Sequence, residues 1–205
     1  MPSWNIHLEV GERLNRKLKF SGKEKELFLL GCLLPDINNG YINKVRIKRE
    51  HEETHWAFNQ KSSLNFYAKY KKEIDERRPV FLGYLVHLYT DGFFNYDFYR
   101  NVKHSKFADL PHRKKSDLKH HDFWKYDLKF EERKFFVSDK AEACREANLI
   151  EGVDINEAEI AEVEEILGDR RLNEKSRGRE YEFYTEERLD EVMEEMIESF
   201  KGDYL

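Results

Sequence analysis

Apolar residues recur at intervals of three and four along most of this chain, the period of helices. Trp4, Leu8, Gly11, Leu14 and Leu18 describe one face of a first helix. Residues 24–34 predict a second, mostly apolar from Leu27 onward and stopped by Pro35, after which Asn38, Asn39 and Gly40 predict a turn. Residues 41–53 are highly charged and carry little periodicity. A third helix is predicted over 64–76, with Phe66, Tyr67 and Tyr70 on its inner side, and Pro79 suits the first position of a fourth.

That fourth helix, 80–94, is apolar almost all round, which is how a central, buried helix reads. Residues 101–116 read as a basic loop, and 117–136 alternate charged and aromatic residues at helical intervals. Asn156 with Glu159 matches an N-cap and its reciprocal acid, leading into Ile160, Val163, Ile166 and Leu167. Residues 168–180 are polar and expected to be mobile. Thr185 then opens an amphipathic helix through Leu189, Val192, Met193, Met196, Ile197 and Phe200. No repeat or β-hairpin signal interrupts the pattern. The expectation is an all-α fold in a single domain, 1–205, with a core over 1–136 and acidic C-terminal helices over 137–205 packed on it.

Composition narrows the class. Although 38% of residues are charged, 36 basic against 41 acidic side chains nearly cancel, which argues against gripping duplex nucleic acid by phosphate neutralisation. Cys32 and Cys144 are far apart and form no CxxC pair, so no disulfide framework is expected. The start of the chain lacks a basic segment followed by an apolar run, and the apolar stretches 27–34 and 80–88 are too short to span a bilayer. A cytoplasmic protein without a transmembrane segment is the simplest expectation.

The candidate chemistry lies in histidines and aspartates. His87 and Asp91 stand four apart on the predicted buried helix, so their side chains are adjacent on one face. A buried carboxylate is costly unless it is paired or binds a metal, and this pair can chelate a divalent ion. A satisfied His–Asp hydrogen bond is the plainer alternative, and further ligands decide between them. Asp36 follows Leu33-Leu34-Pro35 directly, His55 precedes Trp56, and His7 follows Trp4 by three with Ile6 and Leu8 beside it. Their plainer readings are a turn-former, a half-buried histidine and a core histidine.

Taken in order, Trp4 with His7, Gly31-Cys32-Leu33-Leu34-Pro35-Asp36, Thr54-His55-Trp56 and the run from Gly83 through His87 to Asp91 resemble the zinc-dependent phospholipase C family. That family shares its fold with the single-strand-specific zinc nucleases, and the resemblance covers roughly the first half of the chain. It implies that Asp36, His55, His87 and Asp91 hold one zinc. It also implies that Trp4, through its backbone, and His7 hold a second sharing Asp91. The activity implied is hydrolysis of phosphate esters by metal-activated water, with Asp36 orienting that water.

The chain departs from the family pattern at three places. Met1-Pro2-Ser3 precede Trp4, which family members expose as a free amine; Asp97 stands where the family places another histidine; and after Asp91 no histidine has an acid four residues later. His104, His112, His120 and His121 therefore remain unassigned, and one or two ions are expected rather than three. The substrate expected is a small phosphoester or a phospholipid head group. The alternative is a degenerate family member with a structural metal, acting as a binding protein. A third reading takes His51-Glu52-Glu53-Thr54-His55 as the HExxH of a zinc peptidase, but its flank, Lys48-Arg49-Glu50, reads as exposed or irregular chain. His121-Asp122 also invites comparison with phosphohydrolases using such a pair, although its neighbours read as a polar helix face.

Overall fold

A computed structural model describes residues 2–37, 50–56, 61–130, 133–168 and 177–205. Helix α1 (Trp4–Leu18) begins at Ser3, whose hydroxyl accepts from the Ile6 amide, and it buries every residue of the predicted face. α2 (Gly22–Gly31) ends earlier than the apolar run suggests. Cys32 and Leu33 form a turn, and Pro35 lies inside α3 (Leu34–Ile37) instead of stopping α2. As the second residue of a helix, Pro35 has no intrahelical N–H bond to lose. The turn expected at Asn38-Asn39-Gly40 falls outside the described residues.

α4 (His51–His55) is helical although residues 41–53 carry little periodicity, and Lys48 and Arg49 of its flank lie outside the described residues. A reciprocal cap explains it: Glu50 and Glu53 each accept from the other's end of the first turn. The helix expected over 64–76 is two, α5 (Ser62–Lys69) and α6 (Lys71–Asp75), jointed at Tyr70. Pro79 opens α7 (Pro79–Val102), which runs eight residues past the predicted end because Phe94, Asp97, Phe98 and Val102 continue the buried period.

α8 (His112–Tyr126) claims part of the expected basic loop, then tightens into a 3-10 turn, Asp127–Phe130, so the helix expected to reach 136 stops ten residues sooner. α9 (Lys140–Ala147) was not legible in the periodicity. α10 (Glu157–Gly168) carries the expected reciprocal cap, with Asn156 Oδ1 accepting from the Glu159 amide at 3.1 Å and Glu159 accepting from Asn156 at 2.9 Å. Of the segment expected to be mobile, 169–176 lie outside the described residues. Thr185 caps α11 (Glu186–Tyr204), which buries all six predicted residues.

The fold is all-α, with no strand among the described residues, and one apolar cluster runs from Trp4 to Phe200. No described helix is long and apolar enough to cross a membrane. α7 is the axle against which α1, α2, α3, α5, α6, α9 and α11 pack. Its closest approach is to α2, where Gly31 meets Gly83. A Cβ on Gly83 would stand 2.1 Å from the Phe28 carbonyl oxygen, and one on Gly31 would stand 2.4 Å from that of Val80. Backbone touches backbone there, which carries the Cys32 carbonyl to within reach of His87, one turn along α7.

Candidate metal centre

Five buried side chains from four helices converge beside this crossing. α1 supplies His7, α3 supplies Asp36, α4 supplies His55, and α7 supplies His87 and Asp91. They form two groups able to hold a metal ion: His55 with His87 and Asp91, and His7 with Asp36 and His87. All five residues named from the sequence are therefore brought together.

The separations test the fit. Four atoms about 2.1 Å from a zinc ion at tetrahedral angles stand about 3.4 Å from one another. His55 Nε2 lies 3.3 Å from His87 Nε2, 3.4 Å from Asp91 Oδ2 and 3.5 Å from Asp36 Oδ1. His87 Nε2 lies 3.6 Å from Asp91 Oδ2 and 4.0 Å from Asp36 Oδ2. These spacings exceed the usual range of N–H···O hydrogen bonds and match the edges of a coordination shell. Asp91 turns its other oxygen, Oδ1, toward His7 Nε2 at 3.5 Å, yet neither atom makes a hydrogen bond although both are buried. Mixed imidazole and carboxylate donors suit zinc among the divalent ions.

The far side of each ring is held by the backbone. His87 Nδ1 lies 2.8 Å from the Cys32 carbonyl, which only accepts, so Nδ1 carries the proton and a neutral ring turns the Nε2 lone pair inward. His55 Nδ1 lies 2.9 Å from Thr54 Oγ1 and 3.2 Å from the His51 carbonyl, which leaves Nε2 facing inward. Tyr84, also on α7, donates from its hydroxyl to the Thr54 carbonyl and pins α4 in place. Trp56 ends α4 in the left-handed region, with φ 60°, directly after His55. Sequence reasoning missed these backbone partners, because a carbonyl leaves no signature in residue type. The Gly31–Gly83 pair was the available signal.

Electrostatics separates the two rings. Burial would lower the pKa of His55, but Asp36 and Asp91 beside it push it up to about 9. Burial holds His87 down at about 3, with His7 adding to the effect. Burial would also raise both carboxyls, yet the imidazoles keep Asp36 at about 2 and Asp91 well below the usual range. Two carboxylates thus face one imidazolium, a negative balance that attracts a cation.

The remaining candidates lie elsewhere. Trp4 is buried in the core, and its nitrogen is an amide within the chain, not a free amine. Asp97 is engaged by Arg188 at 2.8 Å, Tyr184 at 3.0 Å and Asn101 at 3.0 Å. His104 is exposed, His112 is exposed and bonded to the Tyr99 hydroxyl, and His120 stacks on Trp124. Asp122 accepts from the amides of Glu182, Phe183 and Tyr184, so the His121-Asp122 pair anchors chain, with His121 3.4 Å from Asp122 and Glu182. His51 stacks on His55 at 3.8 Å and joins neither ligand group, and Glu52 is exposed.

An all-helical protein with a buried centre of imidazoles and carboxylates able to hold a divalent ion is thereby defined. The chain belongs to the zinc-dependent phospholipase C family, whose model matches residues 6–196. The match extends well beyond the first half of the chain and takes in the C-terminal helices. No curated protein and no solved structure matches it.

Proposed function

We propose that this protein is a metal-dependent hydrolase of phosphate esters, holding one or two zinc ions. Asp36, His55, His87 and Asp91 form the first site, and His7 with Asp91 contributes to the second. The observation carrying this reading is the set of spacings near 3.4 Å among the imidazole and carboxylate atoms of the cluster, in a chain of a zinc-dependent family. When bound, the ion lowers the pKa of water and neutralises charge developing on phosphoryl oxygens.

The chain's own groups do the rest. The Cys32 and His51 carbonyls fix the two rings so that both Nε2 atoms face inward. Asp36, fully buried and ionised, would accept a hydrogen bond from the attacking water and orient it. Asp91 serves both sides of the cluster through its two oxygens. The substrate is a small phosphoester or a phospholipid head group, and the setting is cytoplasmic. The HExxH reading is not favoured, since Glu52 is exposed and His51 stands behind His55.

The test is a panel of phosphomonoesters, phosphodiesters, phosphatidylcholine and single-stranded oligonucleotides, with and without chelator. Chelator-sensitive turnover that disappears in Asp36→Asn supports the enzyme. No turnover by fully metal-loaded protein favours a structural metal in a binding protein instead.

A further inference from the structure

The outward side of α7 carries a stripe of its own, away from the buried face of His87 and Asp91. Tyr89, Phe93, Tyr96, Arg100 and Lys103 follow one another along it at intervals of four and three. Tyr89 and Phe93 are half-buried and, with Ser63, Gly92 and Tyr96, line a groove of about 280 Å³. Tyr96 is 51% exposed, and Arg100 and Lys103 beyond it are exposed as well. The chain then continues as an ordered series of turns. The amides of Ser105, Ala108 and Leu110 donate to the carbonyls of Val102, Ser105 and Phe107, each at 3.1 Å. Lys115 Nζ ties this run to α8 by donating to the Ala108 carbonyl at 2.6 Å. Lys119 turns inward from α8 to Asn95 Oδ1 at 2.6 Å and takes no part in the surface. Residues 100–115 hold six basic side chains against the single acid Asp109, in a chain whose net charge is -5. Among the described residues, the exposed Arg100, Lys103, Lys106, Arg113 and Lys114 stand in no ion pair. Cations elsewhere do: Lys23 faces Asp139 and Glu142, Lys71 faces Asp75, and Lys201 faces Glu198.

We infer that the outer stripe of α7 and the basic turns after it dock this protein on the surface of an anionic lipid bilayer. Acidic phospholipids supply the negative charge that the fold withholds from these cations, and each Lys or Arg close to such a surface strengthens binding about fivefold. Aromatic rings beside the charges fit the headgroup layer, where an apolar body and a polar edge are both satisfied. Ring and charge stand together here. The Arg100 guanidinium lies 5.6 Å from the centroid of Tyr96, and the Lys106 ammonium lies 4.9 Å from that of Phe107. Leu110, within the same segment, is only half-buried. An aliphatic side chain gains from the edge of the hydrocarbon layer but offers a nucleic-acid base no ring to stack on, which favours the bilayer as partner. Docking uses none of the metal ligands and needs no turnover, so it goes beyond the hydrolase reading and does not rest on it.

Sedimentation of the full, metal-loaded chain with vesicles tests this. Vesicles of phosphatidylcholine with about 30% phosphatidylserine would be compared with pure phosphatidylcholine, at about 0.15 M salt and above it. The protein should bind the anionic vesicles about tenfold more tightly or better, and salt should weaken that binding. Arg100→Gln, Lys103→Gln and Lys106→Gln combined should weaken it on the order of a hundredfold, from about fivefold per charge. A charge-matched control, Lys23→Gln, Lys71→Gln and Lys201→Gln combined, should stay within a few-fold of the wild type. Tyr96→Ser should weaken binding severalfold while leaving its salt dependence unchanged. If the first triple variant does not fold, Lys103→Glu alone carries the test, with a loss of about tenfold or more expected. Equal binding to the two kinds of vesicle, or equal losses in the two triple variants, overturns the inference. So does a preference for a single-stranded oligonucleotide over the anionic vesicles at the same salt. Vesicle binding by a protein that hydrolyses no phosphoester keeps this inference and removes the catalytic reading. Chelator-sensitive turnover of soluble esters without vesicle binding does the reverse.

Discussion

The ring of His7 lies flat on the ring of His87, with 3.8 Å between centroids and 6° between planes. α1 and α7 thus meet at the metal centre through two parallel imidazoles, both buried and both facing Asp91. His51 and His55 stack almost identically, at 3.8 Å and 7°, but His51 is only half-buried and lies outside both ligand groups. Similar geometry therefore predicts different consequences. His87→Ala should empty the centre of metal and cost about 1–3 kcal/mol in the metal-free protein, from buried polar groups left unpaired. His51→Ala should keep its metal. Elemental analysis and thermal unfolding of both variants check this, and equal metal loss would move the centre toward the HExxH reading.

Metal uptake should release a proton. Without metal, Asp36 and Asp91 hold His55 at about 9, so at pH 7 its ring is protonated, whereas a ligand imidazole must be neutral. Affinity for zinc should accordingly rise with pH up to about 9. Calorimetric titrations at pH 7 in buffers of different ionisation enthalpy should show close to one proton released per ion. An enthalpy independent of the buffer would contradict the protonated state of His55.

Two glycines of α7 should respond oppositely to alanine. At Gly83 the new Cβ would strike the Phe28 carbonyl, so Gly83→Ala should destabilise by at least the ~1–3 kcal/mol typical of overpacking. It should also loosen metal binding by shifting the Cys32 carbonyl away from His87. At Gly92 nothing stands within 4 Å of the new Cβ, and alanine is the better helix former. Gly92→Ala should stabilise by about 0.5–1 kcal/mol. Urea unfolding of the pair would show the contrast.

Asp127 gives the fold a pH dependence of its own. Burial pushes its carboxyl up to about 7, against hydrogen bonds from Ser3 and Asn5 that act the other way. The folded state then binds a proton that the unfolded chain has already lost, so this group's stabilising proton is present below about pH 4 and lost as pH rises toward 7. Asp127→Asn removes the effect. Relative to wild type, the variant should gain more stability at pH 7.5 than at pH 5, measured by midpoints of chemical unfolding. A constant difference between the two pH values would refute it.

What the sequence disclosed depended on how far each signal reaches. His87 and Asp91 were legible because both lie on one helix and four residues fix their relation, and α11 was legible for the same reason. The turn at Cys32 and Leu33 was hidden, because the apolar run from Leu27 passes through it to Leu34 without a break. The capping exchange of Glu50 with Glu53 was equally hidden beneath a charged run that read as irregular. Lys119 stood unnoticed among basic residues, since its burial depends on α8 turning that side chain toward α7.

α4 has five residues, too few to persist by its own hydrogen bonds. Its tertiary anchors are the buried His55 and Thr54, the latter held by Tyr84. His55 on this helix is a ligand whose partners His87 and Asp91 lie on α7, so detachment of α4 would take one ligand off the ion, and release should follow the opening of α4. The rate of metal loss should then plateau at high chelator concentration, at a value that reports how often α4 detaches. The small helix thus serves as a clock on the residence time of the ion.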